Sequence, residues 1–190
     1  MWICVTDPLC PSEGDYYAVT KIRAEQLVRN SSLTWRIIRL TGIFNPQQKL
    51  DPLFFHMPLE TCIEMATTRD TGYALDLQGR TFNLGGGAPC RVIYRDLLSG
   101  CFARAGLGAL DFPAEAFAEQ NFHCGYFSDS DELESILHFQ RDSFDDYLSW
   151  YEHSLSPARR RLAMWLRRAI KQQLLRQSEP YQALRRCGER

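Results

Sequence analysis

The sequence predicts an α/β protein with an incomplete parallel sheet and a long C-terminal basic amphipathic helix. Three observations carry this reading. Apolar residues recur at helical spacing from Asp15 to Val28, and the chain then passes through a short link into Trp35–Leu40, a run suited to a buried strand. That run closes at Thr41-Gly42-Ile43-Phe44-Asn45-Pro46, where glycine and proline mark a turn. A second strand, Thr81–Leu84, runs into Gly85-Gly86-Gly87 and a helix. Helix, strand and glycine-bearing turn is the order of an α/β unit, whose ligands collect beyond the carboxyl ends of the strands.

The first helix has Ser12 or Asp15 as its cap. Its buried side is read as Ala18, Val19, Ile22, Leu27 and Val28, with Arg23, Glu25 and Arg29 facing water. Before it, Met1–Val5 is the stub of a strand and Asp7-Pro8 and Cys10-Pro11 belong to a loop. After Pro46 the stretch Gln47–Pro58 is irregular and reads from its residues as a surface loop with a few aromatic residues folded under it. Thr61–Ala66 reads as a strand and Arg69–Leu75 as the start of a helix cut short at Asp76–Arg80. The triple glycine lacks both GxGxxG and a GK[ST] ending, so a turn requiring positive φ is the expectation rather than a phosphate loop.

Val92–Ala105 reads as a helix stopped by Gly106. Phe117, Phe122, Tyr126 and Phe127 are read as core. A short helix over Ser128–Leu137 carries acids at the positive end of its dipole, and another opens after Ser143. Ser156-Pro157 then starts a final helix with Leu162, Trp165, Leu166, Ala169, Ile170 and Leu174 at spacings of three and four, ended by Pro180.

Composition sets the outer bounds. With 190 residues, 45% of them hydrophobic, the chain can bury one substantial core plus a small appendage, read as residues 1–155 and a basic helical tail, 156–190. The formal net charge of −1 gives no pull toward nucleic acid, yet Pro157–Arg190 holds ten Lys/Arg against two Glu. A basic block therefore follows an acidic body. The basic helix invites a membrane surface or a partner; docking on the protein's own body or a second subunit is favoured over both. Seven scattered cysteines without a CxxC pair read as reduced thiols of a cytoplasmic protein, and the four histidines show no metal-ligand spacing. No apolar run is long enough to span a membrane, and the N-terminus lacks the pattern of a signal peptide.

The spacing with the clearest chemical content is Tyr17 to Lys21. Four residues apart on a helix, the two side chains share a face, and a neighbouring ammonium favours the phenolate of a tyrosine. A surface pair with no function has the same spacing, so the wider context decides.

Tyr17, Lys21, Arg39, Phe44 and Pro46 resemble the YxxxK helix and the following R-x-x-x-(I/V)-(Y/F)-(G/N)-P turn of the extended short-chain dehydrogenase/reductases, the NAD-dependent epimerase/dehydratase family. Phe82–Gly87 is similar to that family's (Y/F)-N-(I/V/L)-G-G-G segment. Asp129, Leu137, Phe139, Ser143, Phe144 and Trp150-Tyr151 match its closing pattern, with His138 standing where the family has glycine. The resemblance runs over roughly Tyr16 to Tyr151 and implies a partial Rossmann-type (doubly wound) sheet with a C-terminal substrate lobe, of which Gln47–Pro58 would be a moving part. It implies NAD or NADP as cofactor, a hydroxylated substrate such as a nucleotide-sugar, Tyr17 and Lys21 as catalytic and cofactor-binding residues, and further cofactor contacts at Thr41, Gly42 and Ile43. The family's GxxGxxG loop precedes its YxxxK helix, and only sixteen residues precede Tyr17 here. The resemblance thus places these residues in the carboxyl-terminal part of such an enzyme, completed by a second copy or an upstream chain. The alternative is a non-catalytic binding or assembly module.

Overall fold

A computed structural model describes residues 1–45, 52–67, 77–119 and 124–188. The expected Arg69–Leu75 helix, Pro46 and the opening of the irregular stretch, Phe122 and His123 lie outside the described residues. In chain order the elements are β1 (Trp2–Ile3), α1 (Tyr16–Arg29), β2 (Ile37–Leu40), β3 (Gly42–Phe44), β4 (Cys62–Thr67), β5 (Thr81–Leu84), β6 (Arg91–Ile93), α2 (Tyr94–Arg104), β7 (Tyr126–Phe127), α3 (Ser130–Leu137), α4 (Phe144–Ser154), α5 (Pro157–Arg176) and α6 (Glu179–Gly188). They fall into two compact units, the first made of Met1–Phe44, Cys62–Arg91 and His123–Ser143, the second of Asn45–Thr61, Val92–Phe122 and Phe144–Arg190.

In the first unit the strand pairs are parallel: β2 with β5 from Ile37↔Thr81 to Leu40↔Leu84, β3 with β4 from Gly42↔Met65, and β1 with β7 from Trp2↔Tyr126. The expected turn after β2 is instead a change of partner. The Thr41 amide still reaches the Leu84 carbonyl at 3.4 Å, its hydroxyl donates to the Glu64 carbonyl, and Gly42 then begins the pairing with β4. The core is Ala66, Leu77, Phe82, Leu84, Leu133 and Phe139, with Ile43, Ile136 and Leu137 packed on it. Side chains from β4, β5 and α3 thus supply most of the apolar burial, each fully buried large one adding about 1.5–3 kcal/mol.

Helix α1 departs from its expected orientation. It buries none of its residues, and Val19 and Leu27 are exposed. Glu25, expected in water, turns onto β2, where its carboxylate accepts from Arg39 Nη2 at 2.8 Å and Nε at 3.1 Å. An ion pair therefore fastens this helix where the apolar side Ala18, Val19, Ile22, Leu27 and Val28 was expected to be buried. The cap is as expected, with the Asp15 carboxylate accepting from the Ala18 amide at 2.9 Å.

The second unit is built on aromatic rings. Phe54, Phe55, Phe102, Phe112 and Phe117 form one cluster, with Phe55 and Phe102 fully buried. The tail of the irregular stretch is thus a 3-10 turn, Pro52–His56, that sends two phenylalanines into the core. Gly100 lies against the Leu148 methyls, so α2 and α4 approach closely. Gly106 ends α2 with φ of 81°, as expected of the stop. Pro180 does not end the last helix: α5 stops at Arg176, and Pro180 sits in the first turn of α6, where its missing N–H costs nothing.

Candidate functional site

Within the first unit, one face of α1 and the strand β2 enclose an open groove of about 530 Å³. Tyr17, Lys21, Arg36, Arg39 and Leu40 are among its lining residues. Tyr17 is 73% exposed, and Lys21 Nζ lies 5.2 Å from the centre of its ring. The helical register thus brings the pair together, as its four-residue spacing requires, and cation–π attraction of about 0.5–1 kcal/mol helps hold the ammonium there. Tyr17, Lys21 and Arg36 thus give the groove side chains whose chemistry suits a ligand with hydroxyl or anionic groups.

Glu25 and Arg39 form the groove's fixed polar floor. Arg39 Nη1 also donates to the Val5 carbonyl at 2.8 Å, tying the end of the β1 segment to β2, and Glu25 binds Arg29 as well. The Arg39 hydrogen bonds hold the Glu25 carboxyl below its ordinary value of 4.5, against the opposing push of burial. Thr6 is not part of this groove; it lines a neighbouring one that shares Glu25 and Arg39. Thr41, Gly42 and Ile43 lie immediately beyond the groove's last strand residue, Leu40. The Thr41 hydroxyl is engaged by the Glu64 carbonyl, and Ile43 packs on the core.

Sequence reasoning missed a second polar centre. Glu64, on β4, has no exposed surface. Its Oε1 accepts from the Gly87 amide at 3.0 Å and the Ser130 hydroxyl at 2.9 Å; its Oε2 accepts from the Phe127 amide at 2.8 Å and Arg91 Nε at 2.9 Å. A buried carboxylate is tolerated only when its lone pairs are filled in this way. The triple glycine is explained by the same group. A Cβ on Gly85 would run into the Glu64 carboxylate, one on Gly86 into the Met65 carbonyl, and Gly87 adopts φ of 75°. The turn expected from the glycines is present, and its Gly86 and Gly87 amides serve Met65 and Glu64 rather than a phosphate. The signal in the sequence was a lone acid inside the apolar run Cys62–Ala66.

Asp129, expected at the start of a capped helix, is the N-cap residue of α3 but makes no capping bond. Its carboxylate is spent elsewhere, accepting from the Val5 amide at 2.6 Å, the Asn83 side-chain amide at 2.8 Å and the Cys4 thiol at 3.2 Å. These bonds hold Asp129 below its ordinary value although burial works in the opposite direction.

No protein-family model matches the chain, and no curated protein matches it in sequence. Solved structures do match in fold. A short-chain dehydrogenase/reductase superfamily protein of Agrobacterium tumefaciens, with bound NAD, aligns over 87% of this chain with a TM-score of 0.55 and 18% identity. The Bordetella bronchiseptica enzyme WbmG aligns over 80% of it in complex with NAD, with a TM-score of 0.53 and 15% identity. In its complex with NAD and UDP it aligns over 72%, with a TM-score of 0.50 and 16% identity. The chain spans 63%, 53% and 50% of those three chains, respectively. It therefore has the α/β fold of the short-chain dehydrogenase/reductase proteins, with a partial sheet of parallel strand pairs.

Proposed function

We propose that this chain carries the catalytic face of an NAD(P)-dependent oxidoreductase, epimerase or dehydratase acting on a hydroxylated small molecule. The observation that carries the reading is the Tyr17 and Lys21 pair, in contact on the exposed face of α1 inside a groove. The NAD-bound structures that share the fold support it, and the UDP in one WbmG complex supports a nucleotide-linked substrate.

The residues present fit the nicotinamide-ribose end of the cofactor. Lys21 has three donors for ribose hydroxyls. The Tyr17 oxygen would take the proton of a substrate hydroxyl, and return it in the reverse direction. A bound nicotinamide supplies the hydride acceptor or donor. Thr41, Gly42 and Ile43, which continue the chain from β2, belong to the same proposal as cofactor contacts. The pyrophosphate end finds no glycine cradle among the described residues, since the Gly86 and Gly87 amides are engaged by Met65 and Glu64. Its contacts would come from other residues, those of a second copy of this chain.

That last observation favours a second reading, a non-catalytic binding or assembly module of the same fold. Fluorescence titration of the folded chain with NADH and NADPH separates the two. The enzyme reading expects saturable binding, weakened at least tenfold by Lys21→Ala and nearly unchanged by Tyr17→Phe. A folded chain that binds neither nucleotide, or a Lys21→Ala variant that binds as well as the parent, supports the module.

A further inference from the structure

We propose that the outward face of α5 is a docking surface for an anionic lipid bilayer. The inward side of this twenty-residue helix is settled within the second unit. Leu174 is buried, Ala163, Ile170 and Leu174 line a cavity with Leu107 and Leu155, and Lys171 reaches the Ala109 carbonyl and the Asp111 carboxylate at 2.6 Å each. The opposite side carries the apolar residues Leu162, Trp165 and Leu166, exposed at 58%, 91% and 45%. Trp165 is the most exposed large hydrophobic residue among those described.

At 100° per residue, Arg161, Arg168 and Arg176 fall on the same outward half as Trp165, with Leu162 and Leu166 beside it. None of these three arginines has an acidic ion-pair partner among the described residues. The mixture selects the occupant. A protein groove that takes a helix reads a continuous apolar stripe at spacings of three and four. Here the exposed stripe, Leu162, Trp165, Leu166 and Ala169, covers only about two turns, is bordered along one edge by Arg161 and Arg168, and gives way to Gln172, Gln173 and Arg176. At a bilayer surface that combination is favourable: indole settles at headgroup level, leucines enter the acyl boundary, and guanidinium groups extend to lipid phosphates. Charge complementarity points to acidic lipid, since the face offers cations and the helix has no acidic residue from Pro157 to Arg176. The helix would lie along the surface. No described helix is long and apolar enough to cross a membrane.

The test is co-sedimentation of the full 190-residue chain with phosphatidylcholine vesicles and with vesicles enriched in phosphatidylglycerol, at low and high salt. The expected result is binding to the anionic vesicles alone, weakened by salt. Each of Arg161→Gln, Arg168→Gln and Arg176→Gln should weaken it about fivefold, and the triple variant about a hundredfold. Trp165→Ser should lower partitioning about tenfold while leaving the circular dichroism spectrum unchanged, because the side chain packs against little. Equal binding to both vesicle types, no vesicle binding by the folded chain, or undiminished binding of the triple variant overturns the proposal. So does a lipid-free dimer, seen by light scattering, that Trp165→Ser dissociates, since a second copy would then cover this face.

Discussion

Arg91 meets the fully buried carboxylate of Glu64 through a hydrogen bond of 2.9 Å, and through it a second strand end is held, because Arg91 Nη2 also donates to the Phe127 carbonyl at 3.1 Å. The pair ties β4, β7 and the glycine turn into one polar node of the first unit. Breaking a buried ion pair by removing one partner typically costs about 3–5 kcal/mol, because the remaining charge and donors lose their solvent as well as their partner. Glu64→Ala is expected to destabilise by that amount in urea unfolding, and Glu64→Gln by less, since the amide keeps an acceptor oxygen. Equal, small losses for the two variants would show that the node contributes little.

The Glu25 and Arg39 ion pair predicts a specific acid sensitivity. Glu25 is held below 4.5 chiefly by Arg39, and Asp129 below 3.8 by the Val5 amide, the Asn83 amide and the Cys4 thiol. A carboxyl whose value is lower in the folded state binds fewer protons there than in the unfolded chain. Its contribution is complete above the unfolded value and is lost as pH falls through the folded one. Stability should therefore decline as pH drops from about 5 toward 3. Glu25→Gln should flatten part of that decline and lower stability near neutral pH by about 1.5–3 kcal/mol. Denaturation midpoints measured across this range decide it; a variant with the parent's full pH slope would remove Glu25 from the account.

These two nodes also show where the sequence was legible. Periodicity placed α1, β2, β4 and β5 within a few residues, because their apolar spacing is a local property. Glycine chemistry forecast the turns at Gly87 and Gly106, where φ is positive. What periodicity could not supply was the partner of each polar residue. Glu25 sits at an outward-looking position of the helical pattern and is claimed by Arg39, fourteen residues on; Glu64 waits for Phe127 and Ser130, more than sixty residues on. Gly42–Phe44 read as a turn because a strand's change of pairing partner leaves no mark in composition. In the candidate site, the meeting of Tyr17 and Lys21 follows from helical geometry alone, whereas the groove around them depends on β2 lying alongside α1.

Thiol reactivity should separate the seven cysteines. Burial pushes Cys101 up to about 11, with the Tyr147 hydroxyl at 3.9 Å working weakly against it, and burial alone pushes Cys124 up to about 11. The thiolate is the reactive form, so at pH 8 roughly one molecule in a thousand presents either thiol in that form. Cys10 and Cys187 are exposed. Ellman's reagent should label these two rapidly in the folded chain, and Cys90, Cys101 and Cys124 only after denaturation. Fast labelling of Cys101, identified by peptide mass, would contradict its packing against α4.

The end of α3 offers a gain in stability. His138 closes the helix with φ of 52° and ψ of 48°, and it is the only residue other than glycine with positive φ among those described. Its amide donates to the Glu134 carbonyl at 2.8 Å, so the conformation is held by the helix terminus and not by the imidazole. A Cβ in this region crowds the adjoining carbonyl at a cost of about 1–2 kcal/mol, which glycine avoids while giving back part of the gain through its freer unfolded chain. His138→Gly should therefore stabilise by about 0.5–1 kcal/mol, raising Tm by about 1–4 °C for a chain of this size. His138→Ala keeps the Cβ and should show no such gain. If alanine stabilises as much as glycine, the relief comes from removing the ring, and backbone crowding at the helix end is not its source.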